Sequence, residues 1–292
     1  MNKTTALNQP KKVSMQKKEL ASILVKTFLY LFLIVNAVIM IFPFIWMIST
    51  SLKSENLVMV MPPKLIPDPI VWTNYLDLKR LFPFDRLFLN SLFAAVMTTI
   101  GQIVTASMAA YAFARIRFKG REALFMIYLA TLMVPGAMLV TPRFILMRYL
   151  GWINTYQGLI LPGIFTAFGT FLLRQAFLSL PQELEDAAVM DGASPFIIYW
   201  KIFLPLIKPS LGTLGLFAFM QSWNDYLWPL FIARVPNLMT LPVGLASLHG
   251  QYSTDWNLVM AGSVIAIVPI LIVFLFTQRF YVSGVVMSGI KR

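Results

Sequence analysis

Six times along this chain, twenty or more residues pass with almost no charge: residues 27–52, 87–114, 123–142, 150–173, 209–233 and 256–278. Asp225 is the only charged residue in these runs. An α-helix needs about 20 predominantly apolar residues to cross a bilayer. Within lipid, only helices and closed barrels satisfy every backbone group. The runs therefore predict an all-α membrane protein of six transmembrane helices. Composition agrees. The chain is 58% hydrophobic and 12% charged, about half the roughly 25% charge of a soluble domain. A soluble fold of this length would lack polar cover for so much apolar surface.

The first run is too long for a signal-peptide core, and no small-residue cleavage site follows it. It reads as a retained span. Six spans place both ends on one side, and the basic residues choose the side. Two-thirds of the 24 Lys and Arg residues fall in the N-terminal arm, the second and fourth connections and the C-terminal end. Acidic residues divide evenly, so these segments are expected in the cytoplasm. The net charge of +12 is thereby read as membrane orientation rather than as a nucleic-acid surface. Residues 1–23 form a basic cytoplasmic arm, 24–283 a transmembrane domain, and 284–292 a cytoplasmic tail. The external stretch 51–86 holds Pro62, Pro63, Pro67, Pro69 and Pro83 and reads as an irregular loop with short helical pieces. There are no cysteines, and His249 is the only histidine, so neither disulfides nor a metal site are expected.

The fourth connection, residues 175–208, is longer than a turn between spans requires. Ser179 and Gln182 match a capping box, with Pro181 between them. Glu183, Glu185 and Asp186 place negative charge at the start of a helix, where its dipole favours it. Gly192 supplies a C-terminal stop. Ser194 and Pro195 restart a helix as N-cap and first residue. The segment thus reads as a short helix, a glycine hinge and a second short helix at the cytoplasmic face. By pattern alone, it is either a hairpin packed under the bundle or a docking element.

Asp186-Ala-Ala-Val-Met-Asp191-Gly192-Ala193, followed after eight residues by Ile202-Phe-Leu204-Pro205, resembles the EAA loop of ABC-importer permease subunits. The resemblance keeps the spacing and departs only in Asp186, where the family usually has Glu. Ala110-Tyr-Ala-Phe-Ala-Arg115, Trp223-Asn-Asp-Tyr-Leu-Trp-Pro229 and the end Gly284-Val-Val-Met-Ser-Gly289-Ile-Lys291 are similar to stretches of maltose-type sugar permeases.

The resemblance implies the type I importer fold, with residues 179–206 forming a cytoplasmic coupling-helix loop. It implies a second permease subunit, two ATPase subunits and an extracytoplasmic solute-binding protein as partners. ATP and Mg would bind the ATPase subunits and no cofactor would bind this chain, which has no Gly-x4-Gly-Lys phosphate loop. A bacterial inner membrane and a sugar or oligosaccharide substrate are implied as well. Carried over residue by residue, the coupling role falls on Asp186, Ala187, Ala188, Asp191, Gly192 and Ala193. Ile202, Leu204 and Pro205 would anchor the loop. Gly289 and Lys291 would touch an ATPase subunit, the alternative being a frayed basic tail.

Polar groups inside a span are costly and are functional candidates. Gln221, Asn224, Asp225 and Trp228 are spaced to share one face of a continuous helix. Amides and a carboxylate can bond sugar hydroxyls, and an indole can pack on a sugar ring. These four are candidates for the substrate path, with Asn90 and Gln102 as weaker ones. The structural alternative pairs Asp225 with Arg143, Arg148 or Arg234. Rival functions are an ion-coupled secondary transporter, which would bury ionisable groups at the midplane, and a membrane enzyme, for which no reactive cluster is present. A third alternative keeps the fold and carries glycerol phosphate or acidic oligosaccharides.

Overall fold

The computed structural model describes residues 11–81, 83–248 and 254–288. His249, Gly289 and Lys291 lie outside the described residues, as does the start of the basic arm. In chain order the main helices are α1 Lys11–Ser51, α2 Asn74–Leu81, α3 Phe84–Arg115, α4 Arg121–Ala130, α5 Val140–Tyr149, α6 Tyr156–Ile160, α7 Ala167–Leu178, α8 Glu183–Met190, α9 Lys208–Trp223, α10 Leu227–Ile232, α11 Leu241–Ser247 and α12 Trp256–Ser288.

Three segments can cross a bilayer without a break: Ser22–Ser51 within α1, α3, and Trp256–Gln278 within α12. The others are bent pairs. Arg121–Met133 meets Gly136–Tyr149 at 94°, Tyr156–Gly163 meets Ala167–Leu178 at 43°, and Pro195–Leu206 meets Lys208–Trp223 at 79°. Counting each pair once gives six crossings among the described residues, the number expected. Not all of them are straight. Pro135 and Gly136 turn the third run, because proline removes a backbone donor and restricts the residue before it. Pro162 and Gly163 break the fourth, and Thr166 restarts it by accepting a hydrogen bond from the Gly169 N–H at 3.1 Å.

The fifth run needs the largest correction. Its helix ends at Trp223, with Asn224 at φ −90°, ψ 0° as the cap. A separate helix, α10, begins at Leu227. The Asp225 carboxylate accepts from the Trp228 N–H at 3.2 Å, which satisfies a donor left free at the new N-terminus. The expected continuous face through Gln221, Asn224, Asp225 and Trp228 does not form.

Helix α3 is the hub, packing against α7 and α9. Ala106, Ala110 and Ala114 recur every four residues on its buried side. Small side chains of this kind let helices approach closely where lipid removes the hydrophobic drive to associate. Helix α12 packs against α9, α2 and α1. The apolar window of α1 buries none of its residues, so the side chains from Ser22 to Ile48 face mostly outward. A polar junction holds its Ser51 end. Asn74 donates to the carbonyls of Ser51 and Lys53, both at 2.8 Å, and the Ser51 hydroxyl meets the Tyr75 hydroxyl at 2.7 Å.

Candidate functional site: a loop below the bundle and a cavity within it

The loop follows α7. Helix α8 closes with two bonds that wrap its end: Gly192 N–H to the Val189 carbonyl at 3.0 Å, and Ala193 N–H to the Ala188 carbonyl at 2.9 Å. This arrangement needs a left-handed residue after the cap. Gly192 supplies it at φ +76°. Ser194 then accepts from the Ile197 N–H and starts the elbow Pro195–Leu206, whose middle, Ile198–Phe203, is wound as a π-helix. The glycine stop and the serine restart are therefore present.

The capping box is not. Ser179 caps the end of α7 instead, and its hydroxyl donates to the Ala176 carbonyl at 2.8 Å. Gln182 turns to Arg115 and Glu185. One turn of difference decides this, because α7 runs on through Leu178.

The loop has two faces. Ala188 is buried against the bundle, while Asp186, Ala187, Asp191 and Gly192 are exposed and Ala193 is half-buried. Met190 at the tip is 87% exposed and Val189 58%. Among the residues expected to anchor the loop, Ile202 and Leu204 pack on the core, whereas Pro205 is exposed. The deeper anchors are Phe203, Ile198 and Tyr199. These went unrecognised because a bulky face on a short helix does not say which way it points. On the α3 side the loop meets Ser107, Tyr111 and Arg115. The Ser107 hydroxyl lies 2.8 Å from the Tyr199 hydroxyl, and the Tyr111 ring contacts Phe177, Tyr199 and Phe203.

A polar cavity of about 170 Å³ lies near mid-height, beside the centre of α3. Thr98 and Gln102 line it from α3, Gly163 and Thr166 from the break in the fourth crossing, and Arg143 from α5. Gln221, Ser222, Asp225 and Trp228 complete it around the break after α9. Irregular backbone at membrane depth persists where it is buried in protein or lines a cavity. Both conditions hold here. Gln102 donates to the Gly163 carbonyl at 2.8 Å, and Thr105 donates to the Ile164 carbonyl at 2.6 Å, so the carbonyls freed by the break have partners. Arg143 stands over the Trp228 ring, 5.3 Å from its centroid, and the Trp228 indole donates to the Gly158 carbonyl at 3.0 Å.

The structure thus brings Gln221, Asp225 and Trp228 together in one wall, although not on one helix. Asn224 is outside the cavity; it is exposed and donates to the Met220 carbonyl at 2.9 Å. Asn90 is outside as well. It donates to the carbonyls of Asn237 and Met239, both at 3.0 Å, and accepts from the Tyr156 hydroxyl at 2.7 Å. It therefore ties Tyr156 and the segment 237–239 to α3. The sequence reading missed Thr98, Arg143, Thr166 and Ser222. Pro162-Gly163 was the available signal for the break that brings Thr166 in, while Arg143 had been read only for orientation and as a partner for Asp225.

Residues 102–284 match the model of the family described as binding-protein-dependent transport system inner membrane component. The chain is 38% identical over 258 residues to the arabinooligosaccharides transport system permease protein AraQ of Halalkalibacterium halodurans, covering 87% of this chain and 92% of that protein. It is 36% identical over 270 residues to the sn-glycerol-3-phosphate transport system permease protein UgpE of Pectobacterium atrosepticum, covering 89% and 96%. A chain of a bacterial ABC transporter involved in the import of the acidic polysaccharide alginate superposes with a TM-score of 0.78 at 25% identity, covering 95% of this chain and all of the other. Matched over most of its length in sequence and in fold, the chain belongs to the family of binding-protein-dependent inner membrane transport components.

Proposed function

We propose that this chain forms one half of the path by which an ATP-driven importer carries a sugar or oligosaccharide across the inner membrane. As a permease of this family it is a multi-pass, non-catalytic membrane component of a transport system that depends on a binding protein. The finer reading adds a second permease subunit, two ATPase subunits that bind ATP and Mg, and an extracytoplasmic binding protein that hands over the substrate. Both termini would lie in the cytoplasm. The loop 179–206 would seat in an ATPase groove through its exposed side, Asp186, Ala187, Asp191 and the Met190 tip. Closure of the ATPase pair would then move the loop and repack the bundle between two states.

The cavity carries the substrate part of this reading. It is polar, lies beside the centre of α3 and is built where the helix is interrupted before Ala167 and after Trp223. Gln102, Gln221, Ser222 and Thr166 offer donors and acceptors suited to hydroxyls, and Asp225 offers an acceptor. The experiment is uptake of arabinotriose into proteoliposomes holding the full complex and its binding protein. Gln221→Ala and Asp225→Ala should each impair uptake while the complex assembles normally. Wild-type uptake by both variants would remove these residues from the path.

A second reading keeps the fold and changes the cargo to glycerol phosphate or an acidic oligosaccharide. Arg143 in the cavity wall favours it, because a guanidinium pairs well with phosphate and carboxylate. Competition between arabinotriose and sn-glycerol 3-phosphate in the same assay separates the two.

A further inference from the structure

The coupling reading connects the loop covalently to α7 before it and α9 after it. The structure adds a third connection, to a helix that is distant in sequence. The Arg115 side chain at the inner end of α3 is 6% exposed and its neighbour Glu185 17%. Its Nη2 donates to the carbonyls of Phe177 and Leu180, both at 2.6 Å. Its Nη1 donates to Gln182 Oε1 at 2.7 Å and lies 3.5 Å from the Glu185 carboxylate. Gln182 in turn donates to Glu185 at 3.2 Å. The guanidinium carbon lies over the Phe203 ring, 4.8 Å from its centroid. One side chain therefore holds the end of α7, the start of α8 and the middle of the elbow. Only a planar fork with five donors can bond in-plane and stack at the same time.

Ser107, Tyr111 and Arg115 recur every four residues, so they form one stripe on α3. All three contact the loop or the end of α7. Higher on the same helix, Thr98 and Gln102 line the cavity. Gln102 and Arg115 are about 20 Å apart at 1.5 Å per residue. Helix α3 has no proline and no break over its 32 residues, whereas the third, fourth and fifth crossings are all bent. It is an unbroken helix, distant in sequence from the loop, that touches both the loop and the cavity.

We propose that Arg115 is a positioning residue that clamps the coupling loop to α3, so that loop and helix move together and displacement of the loop reaches the cavity wall. This rests on the loop being the ATPase grip, but it does not follow from it. A loop that acted only through α7 and α9 would leave α3 behind.

The test uses the full complex in proteoliposomes with its binding protein and arabinotriose. Arg115→Gln loses the fork and the charge; Arg115→Lys keeps the charge without the fork. With Arg115→Gln, ATP hydrolysis stimulated by the binding protein and uptake should both fall about tenfold, a size usual for coupling between sites. Basal hydrolysis and the yield of complex should hold, and Arg115→Lys should fall between. Stimulation equal to wild type in Arg115→Gln would overturn the proposal. Should that variant fail to assemble, a second measurement decides. The chain has no cysteine, so spin labels at Val189→Cys and Ile116→Cys report the separation of loop and α3 in the otherwise unaltered chain. The proposal expects one narrow separation in the resting and the ATP-trapped complex. A change of several ångströms between the two states would refute it. Cross-linking of Met190→Cys to an ATPase subunit tests the underlying grip separately, because it depends on the loop tip and not on Arg115.

Discussion

Gln102 donates its side-chain amide to the Gly163 carbonyl across 2.8 Å. A residue of the unbroken helix thus satisfies an acceptor exposed by the broken one. Gln102→Leu keeps the volume and removes the donor. The cost should be about 1 kcal/mol, the scale of interhelical bonds in membranes, read as a lowered melting temperature of the purified complex. Thr105→Val removes the neighbouring bond to Ile164 and should behave alike. If both variants melt at the wild-type temperature, the break does not depend on α3.

Asn224 and Asp225 are neighbours with different tasks. Asp225 lines the cavity and caps α10; Asn224 is exposed and bonds within its own turn. Asn224→Ala should transport at close to the wild-type rate, in contrast to the loss expected of Asp225→Ala. Equal impairment in uptake would mean that the path runs along the other side of the break.

Two glycines separate close packing from helix geometry. A Cβ on Gly158 would run into the Trp152 carbonyl, which is backbone and cannot swing aside. Gly158→Ala should destabilise by about 1–3 kcal/mol. A Cβ on Gly215 would meet only Ile103 and Thr99, at 3.4 and 4.0 Å. Gly215→Ala should therefore be neutral or stabilising by up to about 1 kcal/mol. Thermal unfolding of the two variants side by side checks the order.

Gly192 has open space around it and a positive φ. Strain, not collision, is what a side chain there would suffer. Gly192→Val should cost about 1–2 kcal/mol locally and lower coupled uptake, while Gly192→Asn should be milder, since asparagine visits this region more readily. An uptake assay that ranks valine level with asparagine would show that the turn is not held in this conformation.

Lys53 is 1% exposed just beyond α1, with its ammonium 4.3 Å from the centroid of the Trp46 ring. Burial lowers its pKa below the ordinary lysine value. The folded protein therefore releases this proton more readily than the unfolded chain. Between the lowered value and the ordinary one the unfolded state binds more protons, so stability rises with pH across that window. Below the window the cost of the buried charge is fully present. Lys53→Met should flatten this rise in melting temperature under alkaline conditions.

Some of this was legible because it is local. The glycine and serine that punctuate the loop act through their own backbone and hydroxyl, and Gly192 and Ser194 adopt the expected conformations. The number of crossings was legible too, since apolar length sets it. Shape was not. Asn224, Asp225 and Tyr226 interrupt the fifth run, where Pro229 was the available signal because it has no N–H for the Asp225 carbonyl, and the break is stabilised by the Asp225 cap and by α10 packing against α6. The cavity was half visible for the same reason. Gln221, Asp225 and Trp228 were found on the wrong geometric argument, a shared face, while Thr98 and Arg143 come from elements whose meeting depends on bends at Pro135 and Pro162.

The bare surface of α1 has a consequence for how the protein meets its membrane. Ser22–Ser51 is 30 residues long, about 45 Å as a straight helix, against a hydrocarbon core of about 30 Å. A helix of this length is long enough to span with some tilt. The junction at Ser51, Asn74 and Tyr75 pins its Ser51 end. Adjustment to bilayer thickness is therefore expected at the Ser22 end.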